Sequence, residues 1–244
     1  SQVGDKLLYG GNHPYGEFAT IQTVENITLE DVQNYYLTYA KPNNAYLTIV
    51  GDVDFNKIKK LVTSLFKGWK KGKLPEYEMP TVNDVSKNEI NFVDMSNAVQ
   101  SEITVGNIIN ISMADPDYFA LRLANQILGG GSGRLYENLR EDKGFTYGAY
   151  SGATTSRYVG TFYASTSVRN EVTDSSVVEI INEINRMISD NVSESKLESV
   201  KAKFVGNFIM STERPSTIAT FALNIDNYNL PSNFYETYLD NIQK

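Results

Sequence analysis

Three places in this chain carry side chains whose type and spacing suit chemistry: a single histidine, a cluster of glycines, and an arginine followed seven positions later by a tyrosine. The histidine, His13, lies in the tetrapeptide HPYG. A zinc site needs three or four convergent nitrogen, oxygen or sulfur ligands. The chain has no cysteine, one histidine, and neither an H-x-x-E-H nor an H-E-x-x-H pair. No metal is therefore assigned to it. A serine triad fares no better, because His13 would have to be the base and no G-x-S-x-G is present. A lone histidine before a proline in a Gly-rich loop is expected to be a turn or packing residue.

The glycines, Gly129, Gly130, Gly131 and Gly133, invite comparison with a phosphate loop. The Gly-Lys-Ser/Thr ending is missing, and Tyr136 occupies the last position of a would-be G-x-G-x-x-G. The cluster also follows a helical pattern, where both nucleotide motifs follow a strand. A helix C-cap and flexible turn is the plain alternative. The other is that bare backbone at Gly130, Gly131 and Ser132 lets a second chain, a substrate peptide, approach closely.

Arg140 and Tyr147 are the more promising pair. Leu135 and Leu139 give a short helix one apolar stripe, and Gly144 is placed to end it. Arg140 then stands in the last turn and Tyr147 opens the next strand. Guanidinium and phenol can meet around that corner and donate to one oxygen, stabilising charge on a carbonyl during acyl transfer. A last-turn arginine also suits the helix dipole, and strand tyrosines are common, so spacing alone leaves both readings open.

The elements that must position these residues are legible in the periodicity. Thr28 caps a helix from about Leu29 to Ala40, with Asp31 as the returning acid. Residues 45–51, AYLTIVG, read as a buried strand, and a second amphipathic helix runs from about Asp54 to Phe66. Residues 71–87, with two prolines and mixed charge, read as a linker. Beyond it INFVDMS and AVQSEITVGN read as strands. A helix follows over 115–129, with Asp115 as cap and Pro116 at its first position. Strands are expected around TYGAYSGAT and YVGTFYASTSV, and helices at about 174–190, 194–212 and 214–228. The fold class is α+β, with residues 1–70 the back part of one domain and 88–244 most of a second. The pattern suggests a piece of a longer protein, cut at both ends.

Composition bounds the partners. With 22 basic against 29 acidic residues and a net charge of −7, no nucleic-acid partner is expected. No apolar run approaches the roughly 20 residues needed to span a bilayer, so no membrane span is expected. The N-terminal SQVGDKLLYGG lacks the basic start and apolar core of a signal peptide.

Against this background GGGSGRLYENLREDKGFTYGAYS (129–151) closely resembles a segment of the H-x-x-E-H zinc peptidases, the M16 family of insulinase and mitochondrial processing peptidase type. HPYG resembles that family's His-Pro-aromatic-Gly turn. ITLEDVQNYYLTYAKPNNAYLTIVGDVD (27–54) resembles its helix–strand stretch ending in Val-Gly-Asp. The three blocks occur in the family's order. The resemblance implies αβ sandwich domains, an antiparallel-rich sheet with helices on one face, paired into a clamshell around a closed chamber. It implies zinc held by a parent segment or partner subunit, where a glutamate would act as general base on a bound water. It assigns Arg140 and Tyr147 to the pair that grips an extended peptide or unfolded polypeptide near the cleaved bond, the peptide adding a strand to a sheet edge. This chain alone would bind no zinc and cleave nothing. A non-catalytic partner or scaffold subunit is the alternative, and relatives of this kind point to a bacterial periplasm or envelope.

Overall fold

The computed structural model describes residues 2–244. Helices lead the chain: α1 (Gln2–Tyr9), α2 (Ile21–Glu25), α3 (Leu29–Tyr39) and α4 (Phe55–Phe66). Their starts follow local chemistry. Thr28 Oγ1 accepts the Asp31 N–H and the Asp31 carboxylate accepts the Thr28 N–H, a reciprocal box that closes the first turn of α3. The Thr28 bonds hold the Asp31 carboxyl below its ordinary pKa. Asp54 caps α4 by accepting the Lys57 N–H at 2.8 Å.

The expected strand at 45–51 does not form a ladder. Residues 45–50 have no paired neighbour, and Tyr46, Leu47, Ile49 and Val50 are exposed. The expected strand INFVDMS is likewise unpaired, with Ile90 and Phe92 almost fully exposed. β-propensity supplies the extended backbone, but a strand exists only when a second strand takes its N–H and C=O groups. Residues 70–99 hold no helix and no paired strand. Gly72 is tied back by the side chain of Asn43, which donates to its C=O and accepts its N–H, and Trp69 Nε1 donates to Ala40 O.

From residue 100 the chain packs. Strands β1 (Gln100–Ile109), β2 (Ala149–Thr154) and β3 (Gly160–Arg169) form an antiparallel sheet in the order β1-β3-β2. The register pairs Ile103 with Thr166 and Ala149 with Thr166, so Ile103, Ala149, Ala164 and Val168 fall on one face. Helices α5 (Tyr118–Gly129), α6 (Arg134–Tyr136) and α7 (Thr173–Ser189) cover that face through Leu128, Leu135 and Ile180, joined by Leu139 just after α6. The opposite face carries Glu102, Thr104, Tyr163 and Ser167 and is open to solvent, as antiparallel sheets permit. A second core joins α5 to α8 (Glu194–Thr212), α9 (Pro215–Asn227) and α10 (Tyr238–Gln243) through Tyr118, Leu230, Phe234 and Ile242. The architecture is α+β, a small antiparallel sheet with helices on one side.

The helix expected from Asp115 begins three residues later, at Tyr118. Asp115 spends its carboxylate on the Asp117 N–H at 2.9 Å and its carbonyl on the Tyr118 N–H, and these bonds close a turn first.

Candidate functional site

The corner between α6 and β2 is built in three parts. Leu135 and Leu139 are fully buried and fix the inner face of the short helix. After Tyr136 the helix widens into a π-helical segment, Glu137–Asp142, in which the Lys143 N–H reaches back to Asn138 O at 3.0 Å. Arg140 lies inside that segment, a geometry found mostly as single turns and often at functional sites. Gly144 then adopts φ +62°, and its N–H bonds Arg140 O, which ends the helix as the sequence suggested.

Tyr147 stands two residues ahead of its strand and does not open it. Thr146 Oγ1 accepts the Gly148 N–H at 3.1 Å and lies 2.7 Å from Ser167 O. These bonds take the backbone of 146–148 into a tight turn, and the β2 ladder starts only at Ala149. Thr166 Oγ1 donates to Gly148 O from the neighbouring strand and pins the turn to the sheet. Thr146 and Thr166 therefore set the position of Tyr147, and sequence reading passed over both. The Thr-x-Gly spacing was the available signal.

Arg140 and Tyr147 both point to solvent. Tyr147 is 89% exposed. The Arg140 guanidinium lies 4.8 Å from the centroid of the Tyr136 ring and its Nε is 3.5 Å from Glu141 Oε1. Among the described residues no hydrogen bond joins the two side chains. Both are left with donors free, on backbone that is held. That arrangement can present a guanidinium and a phenol to an incoming oxygen.

The glycine loop divides into two kinds of position. A Cβ at Gly129 would collide with Ser151 N on β2, and one at Gly133 would lie 2.6 Å from Leu128 O, so these two glycines let helix, loop and strand touch. Gly130 gives its N–H to Gln126 O and its C=O to the Gly133 N–H. Gly131 has open space around it, and Ser132 is exposed with its carbonyl held by Lys196 Nζ of α8 at 3.1 Å. Of the three residues expected to face a peptide, Gly131 and Ser132 are the accessible ones.

Behind the corner a polar cluster binds the π-helical segment to α7. Asn138 Nδ2 donates to Glu179 Oε2 at 2.9 Å and to Glu183 Oε1 at 2.7 Å. Arg186 Nη1 bonds both oxygens of Glu183, at 2.9 and 3.1 Å, and Lys143 Nζ lies 3.5 Å from Glu179 Oε1. Arg186 also donates to Asp190, and that bond holds the Asp190 carboxyl below its ordinary pKa. No local pattern in the sequence links Asn138 to residues some forty positions away.

His13 lies apart from this corner. It caps the turn Pro14–Gly16, its Nδ1 accepting the Tyr15 N–H at 3.1 Å, and its ring stacks on Tyr9. A Cβ at Gly16 would collide with Gly10 O, so the HPYG turn closes against the end of α1. The side chains do not fit a zinc ion. The one histidine is buried with one nitrogen committed, and among the described residues no three His, Asp or Glu side chains converge. Among the described residues, no helix is long and apolar enough to cross a membrane.

Comparisons with known proteins agree with this architecture. The family model described as "Peptidase M16 inactive domain" matches residues 26–204. Over 211 residues the chain is 24% identical to the probable inactive metalloprotease YmfF of Bacillus subtilis, covering 82% of this chain and 47% of that protein. Over 200 residues it is 26% identical to an uncharacterized zinc protease of Rickettsia felis, covering 79% and 46%. A crystal structure of a peptidase M16 inactive domain from Pseudomonas fluorescens aligns with a TM-score of 0.86 at 25% identity, covering 100% of this chain and 58% of that one. The chain thus spans about half the length of the curated relatives it matches.

Proposed function

We propose a function on one premise: this chain belongs to the M16 peptidase family, matching its inactive domain over residues 26–204. The chain is the peptide-gripping part of a zinc-dependent endopeptidase assembly, and the zinc is held by another segment or subunit. The observation that carries this is the Arg140–Tyr147 corner. Two donors are left exposed on backbone that Thr146, Thr166 and Gly144 hold in place. A peptide carbonyl placed between them would accept from both, and the bonds would strengthen as charge grows on that oxygen. Gly131 and the exposed Ser132, at the other end of the short helix, offer a surface that a peptide can approach. The peptide would lie extended along a sheet edge inside a closed chamber. The donor set at His13 supports no zinc, so no step is assigned to metal held by this chain.

A covering half, whether a further segment or a separate subunit, is supported by area. The accessible surface is 17186 Å², where a compact monomer of this mass exposes about 11,000 Å². The excess is the size of an obligate interface or larger. Much of it lies in the N-terminal helices and in the unpaired residues 45–50, where a zinc-bearing half would add strands.

A second reading, a non-catalytic subunit that holds peptides without cutting them, is favoured by the description of the matched family model as inactive and by YmfF being named probable inactive. One experiment separates them. The chain is assembled with its zinc-bearing half, and turnover of an unstructured peptide is measured for wild type and Tyr147→Phe. The enzyme reading expects turnover to fall about 100-fold or more, with the melting temperature unchanged. Equal turnover in the two proteins rejects the role of Tyr147. Binding without any turnover in the wild-type assembly selects the second reading.

A further inference from the structure

Packing alone does not call for the polar cluster behind the corner. Glu179 and Glu183 stand one turn apart on α7, and Glu183 is only 1% exposed. Like charges at that spacing repel, and a buried carboxylate is costly unless it is paired and hydrogen-bonded. Apolar side chains would fill the same volume without that cost. What the two carboxylates gain is the amide of Asn138, which gives one N–H to each. Two acceptors on one NH₂ group leave it a single orientation. Asn138 is the second residue of the π-helical segment, and its carbonyl accepts the bond that defines the wide turn. Lys143, which ends the segment, lies against Glu179 as well. Both ends are therefore tied to α7, while Arg140 lies between them and makes no bond to α7 among the described residues.

We propose that Asn138, gripped by Glu179 and Glu183, is the positioning residue that aims Arg140 at the peptide. This deepens the peptide-gripping reading and rests on it. A residue of an α-helix turns the chain by about 100°, so letting the wide turn relax to ordinary helical register changes the direction in which Arg140 projects. Misplacement of about 1 Å already weakens a positioned contact substantially. Arg186 acts one step further out, its Nη1 bonding both oxygens of Glu183 and so fixing the side chain to which Asn138 donates.

The test uses the 244-residue chain and a fluorescently labelled unstructured peptide, with affinity and melting temperature read together. Arg140→Ala must weaken binding; if it does not, the peptide-gripping reading fails and not this proposal alone. Asn138→Asp, which sets a third carboxylate against the other two, is expected to weaken binding about tenfold, and to add nothing in the Arg140→Ala background. Glu183→Gln keeps an oxygen for Asn138 and is expected to stay within about threefold of wild type. Should Asn138→Asp fail to fold, Asn138→Leu replaces it with the same expectation. Wild-type affinity in the folded Asn138 variant overturns the proposal. So does an equal loss with and without Arg140, because that marks a general structural defect.

Discussion

Residues 2–99 and residues 100–244 obey the same local rules and reach opposite ends. In the first region, helices α1 to α4 are capped and amphipathic, yet none of them buries a single residue, and only His13 and Gly16 are shielded from solvent. In the second, Leu135, Leu139, Val168, Ile180 and Ile242 are wholly or almost wholly buried in two adjoining cores. The difference does not lie in hydrophobic content, since Val32, Tyr36, Leu61 and Leu65 are as apolar as their counterparts. It lies in what is available to pack against. Most helical stability comes from burying one face, and a capped helix with an open apolar face has formed only half of its interactions. The two regions touch lightly: Tyr15 hydrogen-bonds Ser156, Asn170 Nδ2 donates to Ala98 O at 2.9 Å, and α1 lies against β1.

The sharpest way to break this contrast is a pair of truncations. Leu139→Ala removes a fully buried side chain and is expected to cost about 2–5 kcal/mol. Leu61→Ala, on the open face of α4, is expected to change stability by less than about 0.5 kcal/mol. Chemical denaturation of the two variants decides the matter, and equal losses would mean that the N-terminal helices pack as tightly as the sheet region.

A smaller effect sharpens the same comparison within the second region. Burial raises the phenol pKa of Tyr235 and Tyr238 in the core shared by α5, α8 and α10, with the nearby Arg122 opposing the shift. Because the folded value lies above the unfolded one, this contribution is fully present below the ordinary phenol pKa of about 10. It is lost as pH rises through the raised value. Thermal melts taken from pH 8 to pH 11 should show the melting temperature falling only over the last part of that range. In a Tyr238→Phe variant the fall should be shallower. An identical slope in the variant would remove this core from the explanation.

How much of this was legible in the sequence depends on the distance over which each feature is decided. Thr28 caps α3 with Asp31 returning the bond, as their types suggest, and Asp54 and Ser193 cap α4 and α8 by the same rule, because a cap is settled within four residues. The Gly144 stop and the place of Arg140 just ahead of it were equally local. Strand existence was not local. Residues 45–51 and 90–96 have strand composition and find no partner, whereas Gln100–Ile109 finds β3 some sixty positions on. The π-helical widening escaped notice for the same reason, since its support sits on α7 in Glu179 and Glu183. Tyr147 falls two residues ahead of its expected strand because a hydroxyl, that of Thr146, competes for the backbone.

The central claim is that Arg140 and Tyr147 act as one unit on one peptide oxygen, and a double-mutant cycle tests it most directly. Peptide affinity is measured for wild type, Arg140→Lys, Tyr147→Phe and the double variant, all confirmed to melt at the same temperature. The account predicts coupling: the double variant binds about as weakly as the worse single one, with an interaction energy of roughly 0.5–3 kcal/mol. Losses that simply add, or no loss at all, would show that the two side chains do not share a ligand.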